Sequence, residues 1–122
     1  MAGVNKMLFS ILYFIRQETG SDFVVNPDIP IRDILHEEAF DELDLIIALI
    51  HFEMVHAVEL PDVLIARKEL TLREFAACVA ELESIDDNDI PMFYAHKTSL
   101  ISYLITTVKN SQWHGSNGEI PN

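Results

Sequence analysis

The sequence predicts an all-α fold, with four helices followed by an additional C-terminal helical segment. Apolar residues recur at intervals of three and four along several stretches, which is the spacing of one helix face. Turn-forming residues separate these stretches, notably Pro27, Pro30, Pro61 and an acidic break at residues 86–89. An apolar share of 49% in 122 residues is sufficient for one globular domain with a modest core.

The first element is an amphipathic helix over roughly residues 3 to 18. Its apolar residues from Val4 to Ile15 fall at helical spacing, and Gly20 is placed to end it. The stretch "MLFSILYFI" is too short to span a bilayer, and no small-residue cleavage site follows it. We therefore expect a cytoplasmic protein that does not associate with membranes.

A long loop and a second helix come next. Residues 20 to 35 contain several turn residues, and their apolar side chains indicate a loop that packs against the helices. Leu43, Ile46 and Ile50 then recur at helical spacing and predict a helix over about residues 42 to 57. These three side chains are expected in the core.

The remaining elements are a short helical turn and two further helices. The turn is expected directly after Pro61, and Thr71 with Glu74 forms a capping box that begins the next helix. The segment from 91 to 109 favours a helix, although its β-branched residues also allow a strand.

The apolar surface of the second helix determines the expected domain organisation. Apolar residues surround most of that helix, whereas a small bundle normally buries one stripe. We expect a bundle over residues 1–85, an additional helical segment at 86–109 that packs on it, and a mobile tail at 110–122. A second copy could cover the surplus face instead, so the chain is expected to be a monomer or a homodimer.

The charge of the chain narrows the choice of partners. Twenty Asp and Glu against eight Lys and Arg give a net charge of −12. Such a chain repels nucleic-acid phosphates and anionic membranes, so neither is an expected partner. A protein with a basic patch fits this charge better.

No arrangement typical of a catalytic or metal site is present. His51 and His56 are five residues apart, which does not place them on one helix face, and no zinc ligand quartet accompanies them. The acidic run at 86–89 lacks the glycine and distal glutamate of a calcium hand. Ser99 and His96 have no nucleophile elbow. We therefore expect no catalytic residue, metal or cofactor, and we interpret His56 as a packed core histidine.

Two short stretches lie at the ends of the second helix. "DELD" begins at Asp41, and "HAVELP" ends at Pro61. Together with the order of elements, they resemble the acyl carrier protein family, which has Asp-Ser-Leu after a long loop and Ile-x-Ile-Pro at the helix end. The resemblance covers roughly residues 3 to 84. It rests on Asp41, Leu43, Glu53, Val58, Leu60 and Pro61.

The chain departs from the family at the residue that carries the prosthetic group. The family's serine is esterified to 4′-phosphopantetheine, whereas this sequence has Glu42 between Asp41 and Leu43. A carboxylate cannot form that phosphodiester, so the resemblance implies a protein without this cofactor. His56 also replaces a core phenylalanine of the family, and "ILHEEAFDE" replaces its glycine-containing linker.

The resemblance also suggests a partner-binding surface, because acyl carriers present acidic residues of the second helix to their partners. Here the acids concentrate near the helix start, while two positions that are often Glu in the family are apolar. Acids at a helix start also suit the macrodipole, so a solvated helix end is the alternative interpretation. The candidate partner-binding residues are Glu37, Glu38, Asp44, Ile47, Glu53 and Met54.

The sequence thus favours a non-enzymatic, acyl-carrier-like module that binds other proteins and lacks the usual phosphopantetheine attachment site. Two alternatives remain open. One is a working carrier of fatty-acid or polyketide-type synthesis that is modified at an unconventional residue, or whose motif lies elsewhere. The other is an unrelated acidic helical adaptor.

Overall fold

The computed structural model describes residues 3–20, 24–36 and 40–109, which form six α-helices without any β-strand. This confirms the all-α prediction. The chain divides into one unit up to Asp86 and a second from Asp87. The first unit contains α1 (Val4–Thr19), α2 (Ile31–Ile34), α3 (Glu42–His56), α4 (Asp62–Ile65) and α5 (Leu72–Val79). The second contains α6 (Ile90–Tyr103), between a 3₁₀ turn (Asp87–Asp89) and a π-helical turn (Leu104–Lys109).

The positions of the helices follow local signals in the sequence. The Thr71 hydroxyl accepts the Glu74 N–H at 3.0 Å, and the Glu74 carboxylate accepts the Thr71 N–H at 2.9 Å, so the predicted capping box is confirmed. A short helix does follow Pro61, and the segment from Ile90 is helical rather than extended. The sequence did not predict α2, which begins directly after Pro30.

The segment between α1 and α3 is held down by hydrogen bonds to distant backbone. The Ile31 N–H donates to the Leu70 carbonyl at 2.8 Å, and the Arg73 N–H donates to the Pro27 carbonyl at 3.1 Å. The Arg73 guanidinium also contacts the Asp28 carboxylate at 2.7 Å. In its described part, the long connection therefore packs against the start of α5 and the residues before it, which confirms the prediction of a packed loop.

The core of the first unit lies where α1 packs against α3 and α5. The segments that connect these helices add further buried side chains to the same core. The principal core residues are Leu8, Ile11, Ile15, Ile31, Ile34, Phe40, Leu45, Leu49, Phe52, Leu60, Leu72, Phe75 and Val79.

The buried face of α3 differs from the predicted one. Leu43 and Ile46 are only half-buried, whereas Leu45 and Phe52 belong to the core cluster. Ile50 is buried but is not part of that cluster. The prediction failed because apolar residues surround α3 with little bias to one side, so periodicity alone cannot select a face.

The second unit is built around α6. Pro91 occupies its first turn, where a missing N–H costs no helical hydrogen bond. The Lys97 ammonium lies 5.4 Å from the centre of the Phe93 ring, a cation–π distance. Packing of this segment on the bundle stays a prediction, and the tail at 110–122 lies outside the described residues. Across the described ranges, no helix has the length and apolarity needed to cross a bilayer.

Candidate functional site

The start of α3 is organised by two aspartates that cap each other. The Asp41 carboxylate accepts the Asp44 N–H at 2.9 Å, and the Asp44 carboxylate accepts the Asp41 N–H at 3.3 Å. This reciprocal pair satisfies two backbone donors that a helix start leaves without partners. Asp41 and Asp44 therefore have a local structural role, independent of any role in binding a partner.

Glu42 is the first residue of α3 and points to the surface. Its side chain is 62% exposed, and one carboxylate oxygen lies 3.2 Å from the Lys68 ammonium. Lys68 also donates to the Ile65 carbonyl at 3.0 Å, so the ammonium links the end of α4 to the start of α3. An exposed ion pair of this kind contributes at most about 1 kcal/mol. Chemically, the position presents a carboxylate and no hydroxyl.

Glu53 lies inside the protein and shapes the turn after α3. Its side chain is 3% exposed, and its carboxylate accepts the Leu60 N–H at 2.7 Å. The Glu53 carbonyl accepts the N–H groups of Ala57 and Val58, and Ala57 adopts a left-handed conformation with φ +52°. Through its carboxylate and its carbonyl, Glu53 thus holds both ends of the turn after α3 against the last turns of that helix.

The proposed partner-binding set is therefore corrected. Glu53 and Ile47 are buried, with exposed fractions of 3% and 0%, so neither side chain offers a surface to a partner. Asp44 and Met54 are half-buried. The predicted residues Glu37 and Glu38 lie outside the described residues.

We expect Glu53→Ala to lower the free energy of unfolding by about 1–3 kcal/mol, because it leaves the buried Leu60 N–H without this acceptor. Glu53→Gln retains a carbonyl oxygen for that N–H and should cost less. Urea denaturation followed by circular dichroism measures both changes. Glu81→Ala removes an exposed acid and serves as the control. Equal stabilities for Glu53→Ala and Glu81→Ala would contradict this role.

His56 connects α3 to α1. Its Nε2 atom lies 2.7 Å from the Ser10 hydroxyl, and its ring centre lies 4.4 Å from that of Phe52. The ring is half-buried rather than fully in the core, which corrects the predicted degree of burial. Burial lowers the pKa of His56 below 6.5, and the nearby Lys6 charge lowers it further. The folded protein thus favours the neutral imidazole.

This lowered pKa predicts a dependence of stability on pH. Below about pH 6.5 the unfolded chain binds a proton at His56 more readily than the folded chain, so stability falls as the pH falls. We expect His56→Gln to flatten the change in melting temperature between about pH 7.5 and 5.5. His36→Gln, at an exposed histidine, is the control. If His56→Gln shows the same change in melting temperature with pH as the wild type, His56 is not the cause of that change.

A groove along α1 is a feature that sequence reasoning missed. Phe9 and Tyr13 are 67% and 56% exposed, although both are large aromatic side chains. They line a cavity of about 780 Å³ together with residues of α1 and the segment after it. The sequence did contain a signal for this groove. Phe9 and Tyr13 are four residues apart, so they lie on one side of α1, away from its buried residues.

Comparison with known proteins does not assign this site. No family model, no curated protein and no solved structure matches the chain. Within the described ranges, no group of three His, Cys, Asp or Glu side chains is placed to hold a metal ion. The fold and the geometry therefore define the class only as an all-α protein with an acidic, capped helix start.

Proposed function

We propose that this protein is an acyl-carrier-like, non-enzymatic module that binds other proteins, with Glu42 in place of the prosthetic-group serine. The placement of Glu42 carries the proposal. It is the first residue of α3, directly after the capping residue Asp41 and before Leu43. Its side chain is exposed, as a position reached by a modifying enzyme must be, but it has no hydroxyl to modify.

The segments around α3 support the same proposal. The connection that precedes this helix contains α2 and is hydrogen-bonded to the region before α5. At the other end, Glu53 holds the turn that leads to Leu60 and Pro61. The residues on which the family resemblance rests thus include those that build both ends of α3.

The proposed partner is a protein with a basic patch. Asp41 and Glu42 at the start of α3 and Asp62 at the start of α4 are exposed. The net charge of −12 attracts a positively charged surface at long range and accelerates its encounter with the chain. In this proposal, the acidic helix start contributes to recognition without a covalent cofactor.

A phosphopantetheinyl transferase assay tests the proposal. The wild-type protein, incubated with a broad-specificity transferase and coenzyme A, is expected to keep its mass because residue 42 has no hydroxyl. Glu42→Ser restores Asp-Ser-Leu at the helix start and is expected to gain one phosphopantetheine. Glu83→Ser, at an exposed acid outside α3, is expected to gain none. Intact mass spectrometry measures all three proteins.

Two results would count against the proposal. Modification of the wild-type chain would indicate a working carrier that uses another residue, and peptide mapping would locate it. A folded Glu42→Ser variant that gains no mass would show that the start of α3 is not equivalent to a carrier motif. Circular dichroism establishes that this variant is folded.

A further inference from the structure

The groove on α1 has dimensions suited to a small elongated molecule. Its lining residues on α1 extend from Phe9 to Gln17, which corresponds to about 12 Å of helix, and Gly20 lines it directly after the helix. Its volume of about 780 Å³ falls within the range of small-molecule sites. The groove is formed within the first unit by α1 and the residues that follow it. It does not involve the start of α3.

The described lining of the groove is largely apolar and contains a polar pair. Phe9, Leu12 and Tyr13 lie along α1, and Val24 and Val25 of the segment after it also line the groove. Arg16 and Gln17 follow one turn beyond Tyr13 on the helix and are polar. A molecule that matches this lining has an apolar chain and one polar end.

The charge in the groove differs from that of the whole chain. Asp and Glu outnumber Lys and Arg by twenty to eight over the whole chain, yet the described residues that line the groove include Arg16 and no acid. Arg16 makes other interactions in the chain, and a guanidinium has five N–H donors with which to bind an additional anion. Carboxylates match the planar geometry of this group. The polar end of the ligand is therefore best matched by a carboxylate.

We propose that the α1 groove binds a free single-chain aliphatic carboxylate, non-covalently and with one molecule per chain. The aliphatic chain lies against Phe9, Leu12 and Tyr13, and the carboxylate accepts hydrogen bonds from Arg16. A second copy fits the groove less well, because each copy carries a net charge of −12 and the two repel each other.

Dodecanoate is the probe for a direct binding test. Isothermal titration calorimetry of the full chain, below the micelle concentration of the probe, is expected to give one site per chain. Amide NMR shifts are expected to be largest at Gly20, Val24 and Val25, which line the groove. Dodecanol has the same chain without the charge and is expected to bind more weakly.

Two variants with matched controls locate the site. Phe9→Glu is expected to weaken dodecanoate binding on the order of tenfold or more, because it removes an aromatic wall and introduces a repelling charge. Met92→Glu makes the same change in net charge at a 76% exposed side chain outside the groove, and should leave binding unchanged. Arg16→Gln is expected to abolish the preference for dodecanoate over dodecanol, whereas Arg32→Gln, at an exposed cation outside the groove, is expected to preserve it.

Several outcomes would overturn the proposal. It fails if dodecanoate does not bind the wild type, or if folded Phe9→Glu binds it as tightly as the wild type. Tyr13→Ser provides the same test should Phe9→Glu not fold. The proposal also fails if sedimentation reveals a dimer that Phe9→Glu dissociates and dodecanoate does not, because the groove then holds a second copy. None of these results depends on modification at residue 42.

Discussion

Phe75→Ala is expected to lower the free energy of unfolding by about 3–5 kcal/mol. Phe75 lies on α5 and is 1% exposed within the core that α1, α3 and α5 build. Its removal eliminates the apolar contacts of the ring and leaves a cavity, because the surrounding helices relax only in part. Urea denaturation with linear extrapolation measures the loss.

Phe9→Ala is the matched control for this loss. The substitution is chemically identical, but Phe9 is 67% exposed on α1. Its effect on stability is expected to stay within about 0.5 kcal/mol. If both variants lost similar stability, the burial of Phe75 in the core would be contradicted.

The second large effect is expected from Leu45→Ala, at about 2–5 kcal/mol. Leu45 is 2% exposed and belongs to the core cluster, while Leu43, two residues earlier on α3, is only half-buried. Leu43→Ala is therefore expected to cost clearly less. This pair compares the same side chain on two sides of one helix.

The relative size of the two losses identifies which face of α3 is buried. A larger loss for Leu45→Ala supports the face seen in the structure. A larger loss for Leu43→Ala would restore the face predicted from the sequence, on which Ile46 and Ile50 also lie. The two variants can be compared directly if the free energy of unfolding decreases with urea at the same rate in both.

Part of the candidate site could be predicted from the sequence and part could not. The acidic start of α3 was predicted because Asp41 and Asp44 act within one turn of the helix. The role of Glu53 was not predicted, because its partner, the Leu60 N–H, reaches it only through a reversal of the chain after the helix. The groove beside Phe9 was missed for a similar reason, since its described lining includes Val24 and Val25 from the segment after α1.

The sequence by itself determined where α1 ends and where α4 and α5 begin. The glycine after α1, the proline before α4 and the capping box at Thr71 act on neighbouring backbone groups, so local chemistry is sufficient. Only the tertiary structure decided which side of α3 is buried, because its apolar residues surround the helix and packing must select among them. The tertiary structure also decided that α2 forms within the long connection, because the Ile31 N–H donates a hydrogen bond to the carbonyl of Leu70, which is distant in sequence.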